Sequence, residues 1–260
     1  MNFELLLPVA LVMVFCAFVK GATGLGFSTL TLAILAVFLP LKVAIPLVVV
    51  PSLASNLFLM WQVGNFALSI RLFAMLFIAS LPGMALGLMI LHQADNTITS
   101  KVLAVVLLIY GLWGLWQLWQ EYRLKSLADT EKHYKTFSID DRCRPLLNAP
   151  IGFVTGLING VTGSQIIPVM PYLLALSVSR DLFVQTINLS FTINSFIMLF
   201  GLQQMNLLST QQLLPMLLLI IPVTIGVWMG DRIRKYLSER QFKQAVFILI
   251  VLMGLLILNK

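Results

Sequence analysis

The chain has 260 residues, of which 59% are hydrophobic and 10% are charged, so it carries too little polar surface to cover a soluble domain. Its mean hydropathy of +0.96 and its long uncharged runs indicate a protein whose solvent is the lipid bilayer. A net charge of +7 would suggest a nucleic-acid partner for a soluble protein. Here the basic residues collect in the loops, so we interpret them as a positive-inside signal and expect no nucleic acid.

The first half of the chain, residues 1–120, predicts five apolar helical segments. The first of them is predicted to be a retained membrane segment, because no basic stretch precedes it and no cleavage site follows it. A glycine break separates it from the second, where residues 18–27 read FVKGATGLGF. Glycine weakens a helix by about 1 kcal/mol per residue and exposes backbone groups that hydrocarbon cannot satisfy, so the break must face protein, ligand or water. The five segments lie at about 5–19, 27–40, 43–61, 69–91 and 101–120.

A polar linker, residues 121–147, separates this half from a second one, residues 148–260. The basic residues of the linker adjoin membrane segments, which places the linker in the cytoplasm. The second half contains another glycine break, where residues 156–165 read GLINGVTGSQ. Its five predicted segments lie at about 148–159, 165–178, 182–205, 212–230 and 244–259.

Three pairs of motifs recur in the same order in the two halves, at offsets of about 140 residues, which indicates an internal repeat. The Gly-x-x-x-Gly pairs among them allow close helix contact, either within one chain or between the protomers of a homo-oligomer. The pairs are Gly-x-Thr-Gly at 21–24 and 160–163, Ser52-x-x-x-Asn56 and Ser190-x-x-x-Asn194, and Gly83-x-x-x-Gly87 and Gly226-x-x-x-Gly230.

The basic loops predict how the two halves are oriented. The linker and the basic cluster at 232–243 should both be cytoplasmic, so an even number of crossings must separate them. This requires the stretch 148–178 to form a hairpin, either re-entrant or spanning twice. The same reasoning places both termini outside and inverts one half relative to the other. The predicted fold is an all-α polytopic membrane protein of two inverted repeats, each with a glycine-broken hairpin plus three transmembrane helices.

Polar residues at the two breaks form the candidate substrate site. Lys20 is the only charge beside either break, and a cation inside hydrocarbon costs at least about 2.5 kcal/mol, so it usually faces a cavity and a functional counter-charge. The alternative is that its ammonium reaches lipid headgroups at the surface. A donor-rich set that includes helix N-termini suits a small oxyanion. The other members of the set are Gly21, Thr23, Gly24, Asn159, Gly160, Thr162, Gly163, Ser164 and Gln165.

A stripe of Ser, Thr and Asn residues follows each hairpin, and Asn56 and Asn194 belong to it. Such groups either line a substrate path or form hydrogen bonds between helices, and both interpretations stay open. We include Asn56 and Asn194 in the candidate substrate site.

Other classes of function lack their sequence signatures. Neither His92 nor His133 lies in a His-Glu-x-x-His motif, and no Gly-x-Ser-Gly nucleophile or pair of membrane aspartates is present. We therefore predict that the protein is not an enzyme and uses no metal or cofactor. Cys16 and Cys143 are interpreted as bystander thiols. A channel or a structural membrane protein is the alternative, and saturable counterflow of a substrate would distinguish a carrier from both.

The duplicated glycine break, the proline-containing apolar arm with Pro168 and Pro171, and the chain length resemble the TauE/SafE family of sulfite-exporter-like permeases. The resemblance spans essentially the whole chain, although the dense glycine run of the family is reduced here to Leu25-Gly26-Phe27 and Ser164-Gln165-Ile166. It implies a multi-pass transporter in the cytoplasmic (inner) membrane of a prokaryote. The implied partners are membrane lipid and a small sulfur-containing anion such as sulfite, thiosulfate, sulfoacetate or another organosulfonate. The alternative is a carrier of a different small anion or metabolite, or an anion channel.

Overall fold

The computed structural model describes residues 3–23, 26–64, 66–127, 144–176, 178–208, 210–233, 236 and 239–260. Within these ranges the chain forms eleven α-helices and no β-strand. Seven helical stretches of the described chain are long and apolar enough to cross a membrane. The all-α polytopic fold class predicted from the sequence is thereby confirmed.

The helices follow the predicted apolar segments closely. The first half contains α1 (Phe3–Thr23), α2 (Phe27–Phe38), α3 (Leu41–Val63), α4 (Phe66–Gln93) and α5 (Asn96–Leu127). The second half contains α6 (Arg144–Thr162), α7 (Val169–Ala175), α8 (Arg180–Gln204), α9 (Thr210–Leu218), α10 (Ile220–Ile233) and α11 (Glu239–Leu258).

One predicted segment is divided into two helices, and several helix ends differ from the predicted bounds. The segment expected at 212–230 is interrupted at Leu219, between α9 and α10. Pro222 lies just beyond the interruption and has no N–H to donate to the carbonyl one turn earlier, which weakens the helix there. α5 continues to Leu127 and α6 begins at Arg144, so both helices extend beyond the predicted segments at 101–120 and 148–159.

The first helix of each half packs along the fourth segment of the other half. α1 packs along α10, and α6 packs along α4. Both pairs run parallel: Phe18 of α1 lies against Gly230 of α10, whereas Val14, one turn earlier, lies against Gly226. α5 and α11 form a further pair, which is antiparallel because Gly111 lies against Val251 whereas Gly254 lies against Leu108.

The Gly-x-x-x-Gly pairs make these exchanged contacts within the chain. A Cβ added to Gly83 would lie 2.1 Å from the carbonyl oxygen of Phe153 in α6. A Cβ added to Gly230 would lie 2.1 Å from the carbonyl oxygen of Phe18 in α1. Only a residue without a side chain lets the two backbones approach this closely, which is how small residues hold membrane helices together.

The helix ends collect at two opposite ends of the bundle. At the first, which we call the Lys260 end, Lys260 donates to the carbonyl of Val37 and lines a cavity with Phe38, Asn96 and Lys101. At the second, which we call the Lys243 end, residues of α1, α2, α5, α7, α8 and α11 surround another cavity. α2 runs from Gly26 at the Lys243 end to Phe38 at the Lys260 end. Asn96, next to Asp95, and Lys243, near the start of α11, therefore lie at opposite ends.

Candidate functional site

Lys20 lies in the last turn of α1 and is only 3% exposed. Its Nζ donates to the hydroxyl of Ser55 at 2.9 Å and to the Oδ1 of Asn56 at 2.5 Å, both on α3. Ser55 in turn donates its own proton to the carbonyl of Ser52 at 2.7 Å. The side chain of Lys20 is therefore directed into the protein and bound by neutral groups, away from lipid headgroups.

An ammonium at Lys20 has no acid beside it in the described ranges. Across the described ranges, no carboxylate oxygen lies within 4.0 Å of Nζ. The carbonyl end of α1 contributes a partial negative charge that is worth about 0.3–2 kcal/mol to a cation. Burying a cation costs at least about 2.5 kcal/mol, so the helix end alone does not compensate the ammonium.

Asn56 adds a second donor without an acceptor. Its Oδ1 is engaged by Lys20, whereas its buried Nδ2 has no hydrogen-bond partner in the described part of the chain. An ammonium has three N–H groups, and Lys20 uses two of them. When Lys20 is an ammonium, two donors that lack acceptors lie side by side, and such an arrangement is chemically complementary to an anion.

The second glycine break lies beside the start of α2. Gly163, at φ 71°, ends α6 in the left-handed conformation that glycine adopts readily, and its N–H donates to the carbonyl of Asn159 at 2.7 Å. The next residue, Ser164, shares a hydrogen bond of 2.9 Å with Thr29 of α2. The structure thus joins the two hairpins by a side-chain hydrogen bond.

A small cavity lies at this junction. It has about 10 Å³ for the centre of a water molecule, which is room for about one water. The polar residues and the glycine that line the cavity are Ser28, Ser52, Asn159, Gly163 and Gln165. Ser52 lies one helical turn before Asn56, so α3 connects this cavity to the Lys20 site.

Several buried amide groups around the second break lack partners among the described residues. Neither side-chain amide atom of Asn159 has a partner. Gln165 donates to Ser195 at 3.2 Å, and Asn194 donates to the carbonyl of Ser190 at 2.9 Å, but the amide oxygens of both are unpaired. Unpaired buried polar groups are costly, and several of them are concentrated beside the second break.

The chain belongs to a known family of membrane transporters by direct comparison. The family model for the sulfite exporter TauE/SafE matches residues 9–257. The chain is a TauE/SafE family member. The resemblance inferred from the sequence is thereby confirmed, and with it the assignment to a family of multi-pass transporters for sulfite-type anions. Searches of curated proteins and of solved structures gave no match.

The remaining predicted site residues of this TauE/SafE protein have other contacts. The hydroxyls of Thr23 and Thr162 each donate to a carbonyl one turn earlier, those of Val19 and Ile158. Gly21 lies against the backbone of Val227, and Gly160 lies against that of Met84. Both glycines thus serve helix packing, and contact of these four residues with a substrate stays a prediction. Gly24 lies outside the described residues.

Two hydrogen-bond partners of the candidate site residues were not identified from the sequence. Ser55 binds Lys20, and Thr29 binds Ser164. Ser and Thr are common in apolar helices, and nothing local distinguishes these two from their neighbours. Their role depends on which helices meet, and this is decided by tertiary packing.

A larger cavity of about 320 Å³ opens beside the first break at the Lys243 end. Val19 and Thr23, which flank Lys20 along α1, line its inner part together with Gly26. Glu121 and Lys243 contribute charged side chains to the same cavity. The cavity therefore brings open space to within one helical turn of Lys20. In the described part of the chain no cluster of three or more His, Cys, Asp or Glu residues forms a metal site.

Proposed function

We propose that this protein moves a small sulfur-containing anion across the cytoplasmic membrane of a prokaryote by alternating access, and that Lys20 and Asn56 bind the anion. The observation that carries the proposal is the Nδ2 of Asn56, which has no acceptor among the described residues, beside Lys20, whose ammonium form has a third N–H without an acceptor there. Sulfite, thiosulfate and sulfonates present several acceptor oxygens around one centre and can accept from both donors at once.

The exchanged helix packing supports an inverted-repeat mechanism. α1 and α6 are corresponding helices of the two halves, and each packs in parallel along the fourth segment of the other half. Inverted repeats allow the two halves to exchange conformations, so that a site between them opens to one side and then to the other. We assign residues 1–120 and 148–260 to these two repeats. We assign the cavity at the Lys243 end to the route by which the anion reaches the site from the cytoplasm. Both termini would then lie outside.

Ligand-induced thermal stabilisation of the purified protein tests the binding step. A ligand that binds only the folded state raises its stability by mass action. Sulfite, thiosulfate and sulfoacetate are compared with sulfate, phosphate and acetate at one ionic strength. We expect at least one of the sulfur anions to raise the melting temperature in a saturable way.

Two variants locate the bound anion. A hydrogen bond to a charged group contributes about 1.5–3 kcal/mol, so Lys20→Ala should weaken binding by about tenfold or more. Lys101→Ala is the matched control, because it removes the same charge from an exposed position at the Lys260 end. Stabilisation that survives Lys20→Ala unchanged would exclude Lys20 as the anion ligand. Saturable counterflow in proteoliposomes then separates a carrier from an anion channel.

A further inference from the structure

We propose that Lys20 carries a proton together with the anion: it is a neutral amine when the site is empty and becomes an ammonium when the anion binds. This inference rests on the proposed function, because it assigns the coupling ion of the same site. It follows from the hydrogen bonds and the burial of the Lys20 side chain.

The contacts of Lys20 match a neutral amine in number. A neutral primary amine has two N–H groups, and the site provides two acceptors, the hydroxyl of Ser55 and the Oδ1 of Asn56. Ser55 is restricted to accepting from Lys20, because its own proton is donated to the carbonyl of Ser52. An ammonium would carry a third N–H, for which the described residues provide no acceptor.

The surroundings of the buried Nζ also contain no charge that could neutralise an ammonium in the described part of the chain. Lys20 is 3% exposed, Asn56 is fully buried, and the shell around Nζ is neutral in the part of the chain that the structure describes. A buried ammonium needs a counter-charge or an acceptor for each N–H, and the described residues around Nζ provide neither for its third N–H. An arriving anion supplies both the missing acceptor and the missing charge, so protonation and anion binding favour each other.

The other titratable groups around α1 lie on three neighbouring helices. α10, packed along α1, places the backbone of Asp231 near Gly21, and Arg232 follows in the last turn of α10. α5 and α11 contribute Tyr110, Glu121 and Lys243 to the cavity that reaches Thr23. α2 contains no titratable residue, and α3 contains only Lys42, at its opposite end. Asp231 and Glu121 are the groups whose titration must be separated from that of Lys20.

Lys20 takes up one proton for each anion that binds. The lone pair of the Lys20 amine forms a new N–H bond with a proton delivered from water or buffer on the side from which the anion enters. The third N–H then donates to the anion, as does the Nδ2 of Asn56. Release on the other side reverses both events. A monovalent anion would therefore cross without net movement of charge.

The protonation state of the empty protein is measured first. The ¹⁵N signal of the Lys20 Nζ, assigned by its loss in Lys20→Ala, distinguishes an amine from an ammonium. We expect the amine at neutral pH in the anion-free protein. An ammonium signal would overturn the inference, whether or not any anion binds.

Proton uptake on anion binding is measured next, with thiosulfate as the probe because it stays fully ionised across neutral pH. Calorimetry in buffers of different ionisation enthalpy should show about one proton taken up per anion. Because the amine must gain a proton, affinity should fall by about tenfold for each unit of rising pH above the pKa of the amine. The variants Asp231→Asn and Glu121→Gln should retain this dependence.

Lys20→Arg separates the two proposals. A guanidinium keeps its charge at all accessible pH values, so this variant should bind the anion without proton uptake and with a flat pH dependence. Binding to the parent protein without proton uptake would overturn the proton inference and leave the proposed function intact. If no sulfur anion stabilises the parent, the proposed function fails, whereas the ¹⁵N signal still decides the state of Lys20.

Discussion

The Nζ of Lys20 and the Oδ1 of Asn56 lie 2.5 Å apart, which ties the last turn of α1 to α3 inside the bundle. The two residues are 36 positions apart in the chain. The Nδ2 of Asn56 has no partner among the described residues, and it lies beside the Lys20 amine, which gains a third N–H when it is protonated. This pair is the centre of the proposed site, and the first prediction addresses it.

Replacing Asn56 by aspartate should remove anion binding without unfolding the protein. The Asp carboxylate would accept from the Lys20 ammonium and take the place of the anion, so the charged pair would be satisfied internally. We expect anion affinity to fall by about tenfold or more, as measured by thermal stabilisation. Asn206→Asp makes the same chemical change at an exposed position and should keep the response. Equal anion responses of Asn56→Asp and the parent would contradict the assignment.

The glycine contact between α4 and α6 should be essential for folding. Gly83→Val places a branched side chain where even a Cβ would lie 2.1 Å from the carbonyl oxygen of Phe153. Overpacking in a core costs about 1–3 kcal/mol, and a backbone obstacle cannot move aside as a side chain can, so we expect the upper end or more. Ala85→Val lies on the exposed side of the same helix and should leave the melting temperature nearly unchanged. Similar melting temperatures for the two variants would show that the contact is dispensable.

The hydrogen bond between Thr29 and Ser164 should couple the two hairpins energetically. Side-chain hydrogen bonds between membrane helices contribute about 0.6 kcal/mol on average and about 1.7 kcal/mol at most. A double-mutant cycle with Thr29→Val and Ser164→Ala, measured by reversible denaturation in detergent, should give a coupling energy in this range. Thr29→Val combined with Thr97→Ala at the Lys260 end should be additive. An additive Thr29/Ser164 cycle would mean that the 2.9 Å contact contributes no coupling.

The Lys243 end is predicted to face the cytoplasm. Arg123, Arg232, Arg240 and Lys243 lie near the helix termini of this end, and positive residues are retained on the cytoplasmic side. In a Cys16→Ala, Cys143→Ser background, an impermeant maleimide should label Thr97→Cys in intact cells. Gln241→Cys should react only after permeabilisation, which also serves as the labelling control. The opposite labelling pattern would show that the Lys243 end faces outside, so that its cavity opens away from the cytoplasm.

Secondary structure and the two breaks were accessible from the sequence because their causes are local. Apolar runs of sufficient length form helices in a bilayer, where every backbone polar group needs an internal partner. Glycines inside those runs end helices, as Gly163 does at the end of α6. The interruption at Leu219 was missed because proline effects on a helix depend on how neighbouring groups compensate for the lost hydrogen bond.

The sequence by itself also pointed to Lys20 as the one cation beside a break, because a charge in an apolar run is costly wherever the chain places it. Only the tertiary structure decided what surrounds that charge. The approach of α3 to α1 brings Ser55 and Asn56 to Nζ, and the packing of α1 on α10 assigns Gly21 to a helix contact. Such pairings depend on the fit of whole helix surfaces, which no local pattern encodes, so the chemistry of the site appeared only when the helices were assembled.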